Sequence, residues 1–381
     1  MTTMRWGRLW PLAGVLWAGA TAVRADDGPA VKTRPDGWKM SLTLRDQTLA
    51  QGIPVSALDT ADWFRHVNPN AAVLRATVHQ EVLAEATHAS GWRLGAIARG
   101  HADVTVSADA ARLARVLDSE GFPAQDTNYQ LQAQGEGWRG RGVKLGSPWW
   151  TVANTSWQWR ADVVGLELTD WRQASLTGEA QGLSGAQSVD FNVQGTRAGR
   201  GVRGPFLGHG DKVGYAWSLS LDARAQLAPD WHLQLRASEL VSRLHWKRSP
   251  AESLAINTAV EQLRPDGAID YAPAVQGRQF LTNRSGRMHA RWQGVLTWQA
   301  TSKYAASMAW QRMAGMSQTW LGVSRGAADS SEISWTLAAD LQRRGVKGRL
   351  EWGPAFLEVA TDTRGAQAEL RQLHLGVAYV R

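Results

Sequence analysis

Apolar and polar residues alternate one for one along most of this chain, and few folds tolerate that pattern over such a length. In the stretch 215–227, Trp217, Leu219, Leu221, Ala223, Ala225 and Leu227 fall on one side of an extended backbone. Ser218, Ser220, Asp222, Arg224 and Gln226 fall on the other. Successive side chains of a strand point to opposite faces, so each such run presents one apolar and one polar face. The pattern recurs over 231–238, 288–299 and 333–342, and upstream over 38–45, 157–163 and 189–194.

Two all-β architectures accept such strands, a sandwich and a membrane barrel. Several runs extend to about ten residues or more, the length a tilted strand needs to cross a bilayer, whereas strands of soluble proteins average about 5–6. The aromatic inventory is lopsided, with 21 Trp against 5 Tyr and 6 Phe. Trp collects where lipid meets water, and aromatic girdles bound the apolar band of membrane barrels. Trp231, Trp246, Trp292, Trp298 and Trp352, with Trp310 and Trp320, sit at or near strand ends and are read as interface aromatics. Closure also gives every backbone N–H and C=O a partner in lipid. The expected fold is all-β, a closed antiparallel up-and-down transmembrane barrel of roughly 14–18 strands.

The first 25 residues read as a secretory signal. Arg5 and Arg8 form a basic start, residues 9–23 are apolar or small, and Val23-Arg24-Ala25 offers a small-residue cleavage site before Asp26-Asp27. Residues 26–381 then form a single barrel domain. No later stretch reaches the roughly 18 apolar residues of a spanning helix. The chain has no cysteine, which excludes disulfides, thiol catalysis and thiolate metal sites. Its formal charge of +8 falls to +5 without Arg5, Arg8 and Arg24, a mild basic bias. Export and the lack of Lys/Arg runs argue against a nucleic-acid partner.

The segment 247–286, rich in Pro, Asp, Arg and Ser, reads as a long outward loop and a candidate constriction. Residues 228–230 and 301–303 read as tight turns. Phase breaks at Glu239-Leu240 and near Gly294 suggest bulges or glycine kinks. Residues 109–120 carry apolar side chains at helical spacing after Asp109, a candidate N-cap, and read as a short loop helix. The run Gly199 to Gly204 fits G-x-G-x-x-G, but no helix pattern follows, so it reads as a flexible, solvated outward loop, with contact to lipopolysaccharide phosphates as the alternative, and not as a nucleotide site.

The chain ends His374-Leu375-Gly376-Val377-Ala378-Tyr379-Val380-Arg381. His374, Gly376 and Tyr379 make this end resemble the C-terminal assembly signal of Gram-negative outer-membrane β-barrel proteins, while Arg381 departs from their usual terminal aromatic. The resemblance implies an outer-membrane location, contact with membrane lipid and lipopolysaccharide, and delivery by the barrel-assembly machinery.

Nine histidines are scattered with no pair at ligand spacing, so no metal or other cofactor is expected. No Gly-x-Ser-x-Gly elbow occurs and no enzyme is expected, although barrels that act on lipid exist. The expected function is a pore or transporter for small polar solutes. Arg160, Arg224, Arg236 and Arg291 are the candidate lumen-lining residues, and they predict a preference for anions. The alternative is a structural or interaction barrel, serving assembly, export or surface attachment, whose charged lumen is filled.

Overall fold

The computed structural model describes residues 37–380 except 59–62, 69, 120, 122, 200–201, 203–212, 259–260, 264–268, 272–273, 327–332 and 363–367. The proposed signal and most of the Gly199–Gly204 loop lie outside the described residues. In chain order the strands are β1 (Trp38–Gln51), β2 (Val73–His88), β3 (Arg93–Ser107), β4 (Thr127–Gly146), β5 (Trp150–Thr151) and β6 (Gln158–Leu183). They continue with β7 (Ser188–Ala198), β8 (Gly214–Ala228), β9 (Trp231–Asn257), β10 (Glu261–Leu263), β11 (Ile269–Tyr271) and β12 (Val275–Gly286). The last are β13 (Arg291–Gln299), β14 (Tyr304–Met313), β15 (Met316–Arg325), β16 (Ile333–Asp340), β17 (Gly345–Trp352), β18 (Ala355–Asp362) and β19 (Leu370–Val380).

Fourteen strands close a ring, β1-β2-β3-β4-β6-β8-β9 and then β13 through β19, with β19 pairing antiparallel to β1 from Leu370↔Leu49 to Val380↔Lys39. No edge is left in the ring, which is the condition for a sheet to stand in lipid. The first and last barrel strands begin and end, at Trp38 and Val380, at the end of the barrel that carries the tight turns, such as Pro229-Asp230, and in this class that end faces the periplasm.

The alternation resolves as lipid outside and lumen inside. Met40, Leu94, Val143, Val163, Tyr215, Leu321, Leu337, Leu350 and Val377 are exposed on the outer face. Their polar neighbours Asp162, Ser218, Gln318 and Glu358 are buried. Trp231, Trp292, Trp298 and Trp352 are likewise exposed, and Trp231 stacks on Trp298 with ring centroids 6.3 Å apart. This is an outer-membrane barrel crossing by strands.

The barrel is oblique. β16, β17 and β18 have 8 residues each, whereas β6 has 26 and β9 has 27. The long strands, with β4, β7 and β12, raise one wall beyond the bilayer: β7 pairs with the upper parts of β6 and β9, and β12 with β9 from Val275↔Ile256 to Gly286↔Leu244. The segment 247–286 is therefore mostly two paired strands, β9 and β12, and not a loop folded into the lumen. Its polar composition suits a wall standing in water.

The short helix α1 (Ala108–Ser119) forms where its spacing predicts. Its cap is Ser107 and not Asp109: the Ser107 hydroxyl accepts the Ala110 N–H at 3.2 Å. Asp109 instead accepts the Gln130 N–H at 3.1 Å and ties the helix to β4. Leu113 packs with Tyr129, Leu131, Ala180 and Val193, and Ala111 with Val106 and Leu74. Tyr129 and Leu131 alternate with the lumen-side Glu136 and Trp138, so α1 covers the outside of the raised wall.

Glu239 is a bulge, with φ +59°, and the β8–β9 register shifts beside it. Gly294 is no kink, for its pairing with Trp310 is regular. A Cβ there would lie 2.2 Å from Trp310 Nε1, so the glycine makes room for the indole. Between β12 and β13 the ladder lapses over residues 287–290, where the Ser242 hydroxyl accepts the Met288 N–H at 2.9 Å in place of a strand bond.

Candidate functional site

The lumen has two unlike halves. Under the tall wall it is filled. Ile97, Trp138, Val164, Leu166, Leu168, Trp171, Leu244, Trp246 and Met288 form an apolar cluster there. Trp246, read as an interface aromatic, belongs to this core at 3 % exposure: the Glu239 bulge leaves the phase of β9 unchanged, with Leu221↔Ala237 and Leu219↔Val241 on either side of it, so Leu244 and Trp246 share the inward face with Arg236 and Ser242. Trp320 is also internal, packed with Leu49, Met313, Met316 and Leu370.

A belt of ion pairs borders the apolar filling. Arg99 binds Glu81 at 2.6 Å and Glu239 at 2.7 Å, and Arg291 reaches Glu239 at 3.1 Å. Nearer the periplasm, Arg93 pairs with Asp162 at 2.5 Å, and Lys144 lies 2.7 Å from Glu85 and 3.2 Å from Asp162. Four cations meet four carboxylates, and no side chain among them is more than 14 % exposed. Taking such charges out of water is costly unless each is paired, and here each is.

The other half holds a cavity of about 930 Å³. Arg45, Arg160, Arg224, Arg236, Lys347 and Arg349 line it, against two carboxylates, Asp222 and Glu358. Asp222 serves both Arg160 at 2.8 Å and Arg236 at 3.5 Å, and Glu358 serves Arg349 at 3.6 Å. Among the described residues, Arg45, Arg224 and Lys347 have no carboxylate within ion-pair distance. Amides from Gln47, Gln234, Gln293 and Gln372 complete the polar wall. At the periplasmic end the turn before β5 sends Trp149 into the lumen, where its ring lies between the guanidinium groups of Arg160 and Arg224, 4.4 and 4.3 Å from the centroid.

Of the four arginines expected to line the lumen, Arg160, Arg224 and Arg236 border the cavity. Arg291 is inside but belongs to the belt, 7 % exposed and bound to Glu239. Sequence reasoning missed Arg45, Lys347 and Arg349. Each lies on the polar side of an alternating run, which was the available signal. It also missed a cluster of His101, Asp103 and His289, whose ligand-type atoms lie within 4.8 Å of one another although His289 is 186 residues from Asp103.

The assembly-signal residues lie on the closing strand. His374 stands edge-on to Phe356, centroids 4.7 Å apart, and lines the cavity. A Cβ on Gly376 would meet the Phe356 ring at 2.1 Å, so that position admits only glycine while Phe356 keeps its place. The Tyr379 backbone pairs with Met40.

No family model and no curated protein matches the sequence. Among solved structures the chain is similar to the Pseudomonas putida toluene transporter TodX, at 11% identity over 91% of this chain and 89% of that one, TM-score 0.39. It is similar to the Ralstonia pickettii toluene transporter TbuX at 10% identity, 91% and 89% coverage and TM-score 0.31. For the Escherichia coli outer membrane protease OmpT the figures are 7%, 92% and 99%, and 0.25.

Proposed function

We propose that this barrel is a pore or transporter for small anionic, polar solutes, with the basic cavity as the site where they dwell. The observation that carries the reading is the surplus of charge: six cationic side chains face two carboxylates around one cavity, and three of the cations lack an acidic partner among the described residues. A carboxylate or phosphate group entering there supplies the missing counter-charge in a charge-assisted, potentially bidentate contact with guanidinium. Rings of Arg and Lys select anions in the same way. An apolar solute of the size of toluene would leave the guanidinium and amide groups without the partners that water gives them, which costs free energy.

The test is electrical. The full chain, folded in detergent and inserted into planar bilayers, is expected to give discrete conductance steps and a reversal potential of anion-selective sign in a salt gradient. Arg224→Glu is expected to move that potential toward cations. Liposome swelling with a small carboxylate against a monoaromatic hydrocarbon compares the two solute classes. Correctly folded protein that conducts nothing and admits neither solute overturns the proposal and selects the filled, structural barrel, the reading that the balanced belt favours.

A further inference from the structure

We propose that His101, Asp103 and His289 bind a divalent transition-metal ion of the zinc type on the lumen wall, where the ladder between β12 and β13 lapses. His101 and Asp103 are two residues apart on β3 and so share its inner face. His289 comes from residues 287–290, the segment that leaves the sheet. Asp103 Oδ2 lies 2.6 Å from His101 Nε2 and 2.7 Å from His289 Nδ1. Ligand atoms around tetrahedral zinc stand roughly 3.3 Å apart, as metal–ligand bonds of about 2.0–2.1 Å require. Small side-chain rotations reach that spacing, with the ion replacing the two bridging protons.

Two imidazoles and a carboxylate favour zinc, copper or nickel over calcium or magnesium, which prefer oxygen. The site is accessible, because a cavity of about 520 Å³ is lined by Asp103, His289 and Glu136. Water or a solute oxygen can fill a fourth position from that side. Glu136 is held at the edge by the Trp171 indole N–H at 3.0 Å. A further imidazole stands alongside: His79 lies opposite His101 on β2, centroids 6.2 Å apart, is 1 % exposed, and its Nε2 has no hydrogen-bond partner. A bound ion would clamp the free segment to β3 and stabilise the folded barrel by mass action.

The experiment uses the untagged full chain, folded in detergent, titrated with Zn²⁺ by calorimetry and with Co²⁺ by visible absorption. One ion per chain is expected, with the intense Co²⁺ bands of a low-coordinate site and a raised melting temperature in Zn²⁺. His289→Ala and Asp103→Asn are each expected to weaken binding at least tenfold, and His232→Ala to leave it unchanged. His289→Gln is a second variant, and heat-modifiable gel mobility verifies folding of each. Absence of Zn²⁺ binding, equal binding by folded His289→Gln and wild-type protein, or a Co²⁺ spectrum like that of the aqueous ion overturns the assignment.

Discussion

The two halves of the lumen use the same side chains to opposite ends. In the belt, Arg93, Arg99, Lys144 and Arg291 meet Glu81, Glu85, Asp162 and Glu239 in equal number, packed beside tryptophan and leucine with little water contact. Around the cavity, cations outnumber acids six to two and the wall faces open space. Neutralised, dehydrated charge holds a wall in place, whereas surplus charge on an open wall is available to a third party. The difference separates structural arginines from candidate solute-binding ones, although strand position treats them alike.

The comparison breaks most visibly at Glu239. Glu239→Gln leaves Arg99 and Arg291 without the carboxylate that they share. Removing one partner of a buried pair costs about 3–5 kcal/mol, because the remaining charge stays buried. Denaturant unfolding in detergent, followed by tryptophan fluorescence, is expected to show a loss of that size. Asp162→Asn, which strips Arg93 of its closest acid and Lys144 of one of its two, is expected to behave similarly. A loss near zero in both would mean that water already reaches the belt.

Substitutions of the cavity's unpaired cations are expected to act on permeation, not on stability. Arg224 donates to Gln158 at 2.7 Å and has no acidic partner among the described residues, so Arg224→Gln should unfold like the parent chain while anion selectivity falls several-fold. Screening sharpens the point. At 1 M salt the Debye length is about 3 Å, so selectivity from unpaired lumen cations should decline steeply between 0.1 and 1 M while belt stability hardly moves. Trp149→Ala removes the indole between Arg160 and Arg224. It should enlarge the conductance step and cost about 1–2 kcal/mol, the scale of partly desolvated cation–π contacts.

Much of the barrel was legible because lipid enforces the alternation strand by strand. What failed has two physical roots: a bulge can change the face a strand keeps, and the inward face need not be polar where the lumen is filled. Trp171 turns inward because an extra residue at Thr169 offsets β6 against β4, where Arg139↔Asp170 is followed by Gly140↔Leu168. Leu166, Leu168, Leu244 and Trp246 keep the phase of the inward Asp162 and Ser242, and are apolar because the lumen is filled there. The taller wall was misread as loop since a strand standing in water on its outside carries no apolar stripe to announce it. The His101–Asp103–His289 cluster depends on ring closure bringing residue 289 beside residue 103, which no local pattern encodes.

The smallest expected effect tests whether pairing or surroundings make the belt matter. On the outside of the raised wall Arg65 binds Asp118 on α1, donating from Nε at 2.6 Å, a contact as short as those in the belt. Its side chains are 54 % and 30 % exposed, against 7 % and 4 % for Arg99 and Glu239. Exposed pairs contribute about 0–1 kcal/mol, since water solvates either charge when the other is removed. Asp118→Asn should therefore shift unfolding by less than about 1 kcal/mol. If Asp118→Asn cost as much as Glu239→Gln, distance alone would set the strength of these pairs. The contrast between a dry belt and an open cavity would then lose its physical basis.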